Sequence, residues 1–355
     1  MSCLEGKKRL AVLVGCNYAN TPHELFGCIN DVLAMRDVLV ERFGFDQGHI
    51  ELLTDAAGSL VIPTGANIKK ALDRMVNQAE SGDVLFFHYS GHGTRIPSTR
   101  PGHPFRKDEA IVPSDFNLIT DVDFRHIVNR LAKEASFTIL SDSCHSGGLI
   151  HNEREQIGSS SVANNTILQY SCNPKTIPFE SILQHFASVT GINTSDIGTH
   201  LLESFGADAS LKFSSHPVEL NLFELGKQDE GILLSGCQEN ENSADMNPMM
   251  TGGKVYGAFS NAVQTVLKDH MGPLSNRQVV VMSRKVLQAA GFVQHPCLYC
   301  SEDNADTPFL WQPQTSGMLW SLHAIHGSSE YICKSITQPT GKLMLPKGGA
   351  AAVSL

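Results

Sequence analysis

The sequence lacks most features of membrane, disulfide-rich and nucleic-acid-binding proteins. No stretch approaches the roughly 20 consecutive apolar residues that a membrane-spanning helix needs. Cysteine is sparse, with nine in 355 residues, and the odd count leaves at least one free thiol. Basic residues form no dense run beyond Lys7-Lys8-Arg9, and the net charge is −9. These absences argue against a membrane partner, a disulfide scaffold and a nucleic-acid partner.

The beginning of the chain has a signal-like pattern without the features of a complete signal peptide. Basic residues precede the apolar run at 10–14, but this run is short and no small-x-small cleavage site follows it. We interpret the run as the first buried strand. With the sparse cysteines, this predicts a reducing compartment, the cytoplasm or the nucleus. The alternative is the extracellular space, reached by an unconventional route.

Apolar runs of strand length alternate with amphipathic helical patterns along most of the chain. We predict strands near 10–14, 50–53, 84–89, 110–112, 137–140, 231–237 and 295–299, and helices near 30–43, 64–76, 123–131, 259–267 and 276–290. This alternation is typical of an α/β fold with a mostly parallel central sheet and helices on both faces. Residues 1–150 and 230–312 are predicted to build one sheet and one domain. Residues 151–229, with weak helical patterns near 179–189 and 195–205, are interpreted as a linker, and 313–355 as a disordered tail.

Two of the predicted strands end in small polar turns that carry reactive side chains. The run at 137–140 leads into Asp142-Ser-Cys-His-Ser-Gly-Gly148, and the run at 84–89 leads into Ser90-Gly-His-Gly93. If the two strands are neighbours in a parallel sheet, their carboxyl ends deliver Cys144 and His92 to one crevice. A thiol needs a nearby base to become a nucleophile at neutral pH. We therefore predict a Cys144–His92 dyad in which the turn lifts the thiol out of the strand.

These residues lie in motifs that resemble those of plant type II metacaspases. The matching segments are His88-Tyr-Ser-Gly-His-Gly-Thr94 and Asp142-Ser-Cys-His-Ser-Gly-Gly148, with Gly27-Cys-Ile-Asn-Asp31 upstream and Ser235-Gly-Cys-Gln238 downstream. The resemblance covers about residues 8–312 and implies a caspase-like fold, with p20-like and p10-like regions before and after the linker. It implies a cysteine endopeptidase that cuts after Arg or Lys, is made as a zymogen, and acts in programmed cell death or stress proteolysis. It also implies an oxyanion hole formed by the backbone N–H groups of Gly93 and Cys144.

The resemblance assigns roles to three further charged residues. Asp31 and Asp142 match positions that form an acidic S1 pocket, although an Asp at a helix start or in a turn is more often a cap. Lys175 lies in Asn173-Pro-Lys-Thr-Ile-Pro-Phe179, where two prolines disfavour a helix and leave the segment extended. We predict autocleavage after Lys175, with Arg154, Lys212 and Lys227 as weaker candidates.

Two other patterns raise the question of a metal. Asp108, Glu109, Asp115, Asp121 and Asp123 could offer oxygen ligands to Ca²⁺, but they lack the EF-hand spacing. We expect no cofactor to be required, with Ca²⁺ stimulation as the alternative.

The second pattern, His295-Pro-Cys-Leu-Tyr-Cys300, contains half of a zinc-deaminase signature, but no H-x-E or C-x-E lies a few tens of residues upstream. The overall prediction is a monomeric peptidase that acts on protein and peptide substrates with a basic P1 residue. A non-catalytic caspase-like scaffold and, behind it, a zinc deaminase are the alternatives.

Overall fold

A computed structural model describes residues 7–98, 107–144, 147, 149–150, 155–157, 173–215, 231–238, 241–246 and 253–310. Arg154, Lys227 and the predicted tail lie outside these residues. A seven-stranded sheet forms the centre of the fold. Its strands are β1 (Arg9–Gly15), β2 (Ile50–Thr54), β3 (Val84–Ser90), β7 (Ser136–Asp142), β8 (Glu155–Ile157), β10 (Gly231–Ser235) and β12 (Cys297–Tyr299). They lie in the order β2-β1-β3-β7-β10-β12-β8.

The sheet is parallel from β2 through β10, and only β12 and β8 at one edge run antiparallel to their neighbours. The strand after the linker, β10, pairs with β7. Residues before and after the linker therefore share one sheet. The mostly parallel α/β architecture is confirmed.

Helices cover both faces of this sheet because its central strands are apolar on both sides. Two apolar clusters lie on the two faces: one includes Ile68, Leu72 and Phe124, and the other includes Met35, Val263 and Val279. The α-helices of the described residues are α1 (Cys28–Phe43), α2 (Gly65–Gln78), α3 (Asp121–Val128), α4 (Phe179–Thr190), α5 (Ile197–Phe205), α6 (Leu211–Ser214), α7 (Ala258–Asp269), α8 (Asn276–Ala289) and α9 (Glu302–Ala305).

Two small sheets lie beside the carboxyl ends of the central strands. The first is antiparallel and contains β4 (Gly93–Pro97), β5 (Lys107–Ile111) and β6 (Ile119–Thr120). The second pairs β9 (Asn173–Pro174) with β11 (Ala244–Asp245). Because β9 belongs to the predicted linker, this short pairing brings the linker to the edge where the site residues were expected.

Candidate active site

Cys144 and His92 follow neighbouring strands at equivalent positions. In the parallel pair of β3 and β7, Ser90 is the partner of Asp142, and each reactive residue comes two positions later. The prediction that both residues reach one crevice therefore agrees with the sheet register. Cys144 differs from the expectation in one respect, because its side chain is fully buried rather than projecting from the strand end.

The Cys144 sulfur lies against the backbone of residue 243. The Ser243 N–H donates to Cys144 Sγ at 3.1 Å, and the thiol donates to the Ser243 carbonyl at 3.5 Å. These two contacts fix the position of the sulfur.

The His92 loop is positioned by tyrosine and by a backbone carbonyl. The His92 N–H donates to the Tyr18 hydroxyl at 3.0 Å, and the two rings lie 4.7 Å apart between centroids. The ring Nε2 lies 2.7 Å from the His23 carbonyl oxygen and therefore acts as the donor, which leaves Nδ1 as the acceptor of the neutral ring. Burial lowers the pKa of His92 to about 4, so the ring is neutral near pH 7.

A segment of the predicted linker, residues 173–177, occupies the crevice; we call it the strap. The Lys175 carbonyl oxygen accepts hydrogen bonds from the N–H groups of Gly93 at 3.0 Å and Cys144 at 3.1 Å. These are the two donors that the resemblance implied for an oxyanion hole. A Cβ at position 93 would lie 1.8 Å from the Cys144 carbonyl oxygen, so only glycine permits this approach.

The Lys175 ammonium lies in a fully buried acidic pocket. Its Nζ is 3.2 Å from Asp142, 3.4 Å from Asp31 and 3.6 Å from Asp245, and it donates to the Ser90 hydroxyl at 2.9 Å. The floor of this pocket is Gly257, where a Cβ would lie within 2.2 Å of the ammonium. The structure thus brings together Asp31, Asp142 and Lys175, which the sequence predicted, and adds a third carboxylate.

One ammonium faces three carboxylates, and the pKa values reflect this imbalance. Burial and the charge of Asp142 raise the pKa of Asp31 to about 7, although the ammonium opposes them. Burial also acts to raise the pKa of Asp142, but the ammonium and hydrogen bonds from Ser243 and Ser260 outweigh it and lower the value. Burial acts to lower the pKa of Lys175, and the neighbouring negative groups raise it well above its ordinary value. Lys175 is therefore charged, with Asp142 as its ionised partner.

The strap lies in the crevice as an extended chain. It pairs with β11, and the Lys175 N–H donates to the Ser243 carbonyl at 2.8 Å. After the lysine, the Ile177 N–H donates to the Gly93 carbonyl at 3.1 Å. Its backbone is therefore hydrogen-bonded on both sides of the bond that follows Lys175.

Asp245 was not predicted from the sequence. Its second carboxylate oxygen accepts the N–H groups of Phe26 and Gly27 at 2.9 and 3.2 Å, while the first faces the ammonium. The residue lies in a strand of two residues, and such a short element leaves no periodic pattern.

The acid-rich stretch between 108 and 123 is bound by protein groups. The Lys212 ammonium pairs with Asp108 and, at 3.9 Å, with Asp121. Asp123 accepts the Thr120 and Leu211 N–H groups at 2.8 and 2.9 Å. Lys212 is held by Asp108 and Asp121, whereas the crevice holds Lys175, so this binding does not suit the cleavage site for which Lys212 was a weaker candidate.

Within the described ranges, no group of three or more His, Cys, Asp and Glu side chains is arranged to hold a metal ion. Two cysteines of the zinc-like motif serve the fold instead. Cys300 lies in an apolar core cluster, and the Cys297 thiol donates to the His295 carbonyl at 3.5 Å.

Comparison with known proteins gives consistent matches across the described fold. The caspase domain family matches residues 8–306. The chain is 60% identical to Metacaspase-9 of Arabidopsis thaliana over 86% of its own length and 98% of that protein, and 37% identical to Metacaspase-6 over 84% and 99%. A solved structure, protein GSU0716 from Geobacter sulfurreducens, superposes with a TM-score of 0.54 at 19% identity and covers 84% of this chain and 97% of its own. This last similarity concerns the fold alone.

Proposed function

The chain belongs to the metacaspases, cysteine peptidases of the caspase-domain family, and on that premise we propose that it cuts peptide bonds after Lys or Arg with Cys144 as nucleophile and His92 as base. The strap is the observation that carries the proposal. A basic side chain fills an acidic pocket while its carbonyl oxygen accepts two backbone N–H groups, one of them from Cys144. This is the placement that a substrate needs for attack by the thiol.

The chemistry follows from these positions. His92, neutral because burial lowers its pKa to about 4, takes the Cys144 proton. The thiolate attacks the carbonyl carbon of the basic residue, and the Gly93 and Cys144 N–H groups stabilise the oxyanion. The tetrahedral intermediate collapses to a thioester as His92 returns the proton to the leaving amine. Water, deprotonated by the same ring, then hydrolyses the thioester.

Selectivity for a basic residue follows from the excess of negative charge. Asp31, Asp142 and Asp245 surround the position of the ammonium. A neutral side chain would leave these carboxylates buried without a counter-charge, which is costly. Arg can replace Lys because its guanidinium also donates to carboxylates.

The strap further supports production as a zymogen that cuts itself between Lys175 and Thr176. While the strap occupies the crevice, Cys144 is fully buried and no other peptide can reach it. Cleavage leaves the new amino terminus at Thr176 and allows the strap to leave. A role in programmed cell death or stress proteolysis is the corresponding physiological proposal.

We expect activity without a metal cofactor. The carboxylates that could have bound Ca²⁺ are held by Lys212 and by backbone N–H groups, so the stretch already has its counter-charges. Equal rates with a chelator and with added Ca²⁺ would support this expectation.

We also propose a monomer in the cytoplasm or nucleus that acts on protein and peptide substrates. No helix among the described residues combines the length and the hydropathy that crossing a bilayer requires. Size-exclusion chromatography and fractionation of cells that express the tagged chain would test these two proposals.

The central test compares the wild-type chain with Cys144→Ala. Fluorogenic peptides that differ only at P1 should be cut by the wild type after Lys and Arg but not after Ala, and the variant should retain less than about a tenth of the activity. Sequencing of the smaller fragment should begin at Thr176 in the wild type only. If no peptide is cut, the non-catalytic scaffold becomes the better explanation, and a different amino terminus would disprove cleavage after Lys175.

A further inference from the structure

The strap is buried unevenly on the two sides of Lys175. Asn173 and Pro174, before the lysine, are exposed. Thr176 is partly buried, and Ile177 is fully buried at 0% exposure. Contact with the protein therefore extends past the bond to be cut, as far as the second residue after it.

The backbone after the bond is fixed in one register. Thr176 forms a parallel bridge with Gly93, and the Ile177 N–H donates to the Gly93 carbonyl at 3.1 Å. The Ile177 carbonyl accepts the Thr94 hydroxyl at 2.8 Å. The Gly93 N–H also binds the Lys175 carbonyl oxygen. Gly93 therefore fixes both the carbonyl that is attacked and the backbone of Ile177, two residues later.

The Ile177 side chain belongs to a third apolar cluster, which we call the Ile177 pocket. One wall comes from β4, β5 and the chain that follows them, and includes Ile96, Val112 and Phe116. The other wall comes from the linker helices, and includes Ile182 and Phe186 of α4. An apolar side chain, branched like Ile, suits this enclosure, and a charged one would be buried there without a partner.

The linker helices are attached to the rest of the fold by contacts that do not involve the strap. The Ser210 hydroxyl donates to Asp123 at 2.5 Å, and the Leu211 N–H donates to the same carboxylate at 2.9 Å. The Asn117 side-chain amide donates to the Asp208 carbonyl at 2.7 Å. A cut after Lys175 leaves these contacts intact. Because α4 packs against α5 and β4, we expect the second wall of the pocket to stay in place.

We propose that the Ile177 pocket is a second specificity site, which selects substrates with a branched apolar residue at the second position after the cut bond (P2′). The proposal rests on the proposed function, because it assumes that substrates bind along the same path as the strap. In the processed enzyme the substrate takes the place of Thr176 and Ile177, which precede Pro178 and α4 and lie in no helix. The preferred substrate class is a peptide with Lys or Arg at P1 and Ile, Val or Leu at P2′.

The test uses the processed wild-type enzyme and quenched fluorescent peptides that contain Asn-Pro-Lys-Thr-Ile. Replacing the P2′ Ile by Asp should lower kcat/KM by about tenfold or more, since apolar pockets discriminate on this scale. Replacing the P2 Pro by Ala is the matched control, and it should change kcat/KM by less than about threefold because Pro174 is exposed. Equal effects at P2 and P2′ would overturn the proposal. Lack of cleavage of every peptide with Lys at P1 would overturn the proposed function, and this inference with it.

A variant tests the contribution of the linker helix. Phe186→Ala removes part of the α4 wall, so the ratio of kcat/KM for P2′ Ile over P2′ Gly should fall at least about threefold. This ratio does not depend on how much of the variant is folded. An unchanged ratio would show that α4 does not form the pocket in the processed enzyme.

Discussion

Replacing Lys175 by Met in a Cys144→Ala background should release the strap from the crevice. The Cys144→Ala change prevents cleavage, so the experiment reports on binding alone. Met has a similar length and no charge, so Asp31 and Asp142 lose their ammonium partner at 3.4 and 3.2 Å. Removing one member of a buried ion pair typically costs about 3–5 kcal/mol.

Amide hydrogen exchange measures this release. The Gly93 N–H donates to the Lys175 carbonyl, and the Ile177 N–H donates to the Gly93 carbonyl, so both amides are protected only while the strap is bound. A cost of about 3–5 kcal/mol corresponds to an increase in local opening of roughly a hundredfold to a few thousandfold. The exchange rates of these two amides should rise by that factor.

Two control variants separate the charge from other effects. Lys175→Arg retains a cation in the pocket and should keep most of the protection. Lys268→Met removes an exposed lysine of α7 and should leave both amides unchanged. If Lys175→Met leaves the exchange of Gly93 and Ile177 within about twofold of the parent, the acidic pocket does not hold the strap and the reasoning is refuted.

Three further predictions concern other groups of the site. Asp31→Asn should narrow the difference between the free energies of unfolding at about pH 5 and pH 8. The folded-state pKa of Asp31 is raised from 3.8 to about 7, so its contribution to stability is lost as pH rises from the lower to the higher pKa. If chemical denaturation gives the same difference for the variant as for the wild type, this prediction is contradicted. Tyr18→Phe should lower kcat about tenfold with little change in KM, because the buried His92 N–H loses its acceptor. An effect on KM alone would argue against a role of Tyr18 in positioning His92. Lys212→Met should accelerate hydrogen exchange across α4–α6 but not in β10, because Asp108 loses its ammonium partner, and equal acceleration in β10 would indicate global destabilisation instead.

Much of the fold could be predicted because its signals are local. Each central strand is an apolar run of about the right length, and β3 and β7 both end in polar turns. Parallel strands bring such turns to one edge, so the pattern predicted that the turns with His92 and Cys144 follow neighbouring strands. The helices α4 and α5 of the predicted linker also agree with the weak patterns near 179–189 and 195–205.

The details that could not be predicted depend on contacts between residues distant in sequence. Asp245 reaches the pocket from a two-residue strand, and its relation to Lys175 depends on the pairing of β9 with β11. Cys144 is buried against residue 243, and its N–H binds the strap, which the sequence indicated only as an extended segment. The partners of the acid-rich stretch were equally hidden, because Lys212 comes from a helix 104 residues after Asp108.

The strap has a consequence for how the enzyme responds to its own concentration. A segment tethered beside the crevice has an effective concentration on the order of millimolar, whatever the dilution of the protein. To displace the strap, a free peptide with a micromolar dissociation constant would have to be present at a concentration far above that constant. The first cut is therefore expected to follow first-order kinetics in the chain, so its half-time should not change when the protein is diluted.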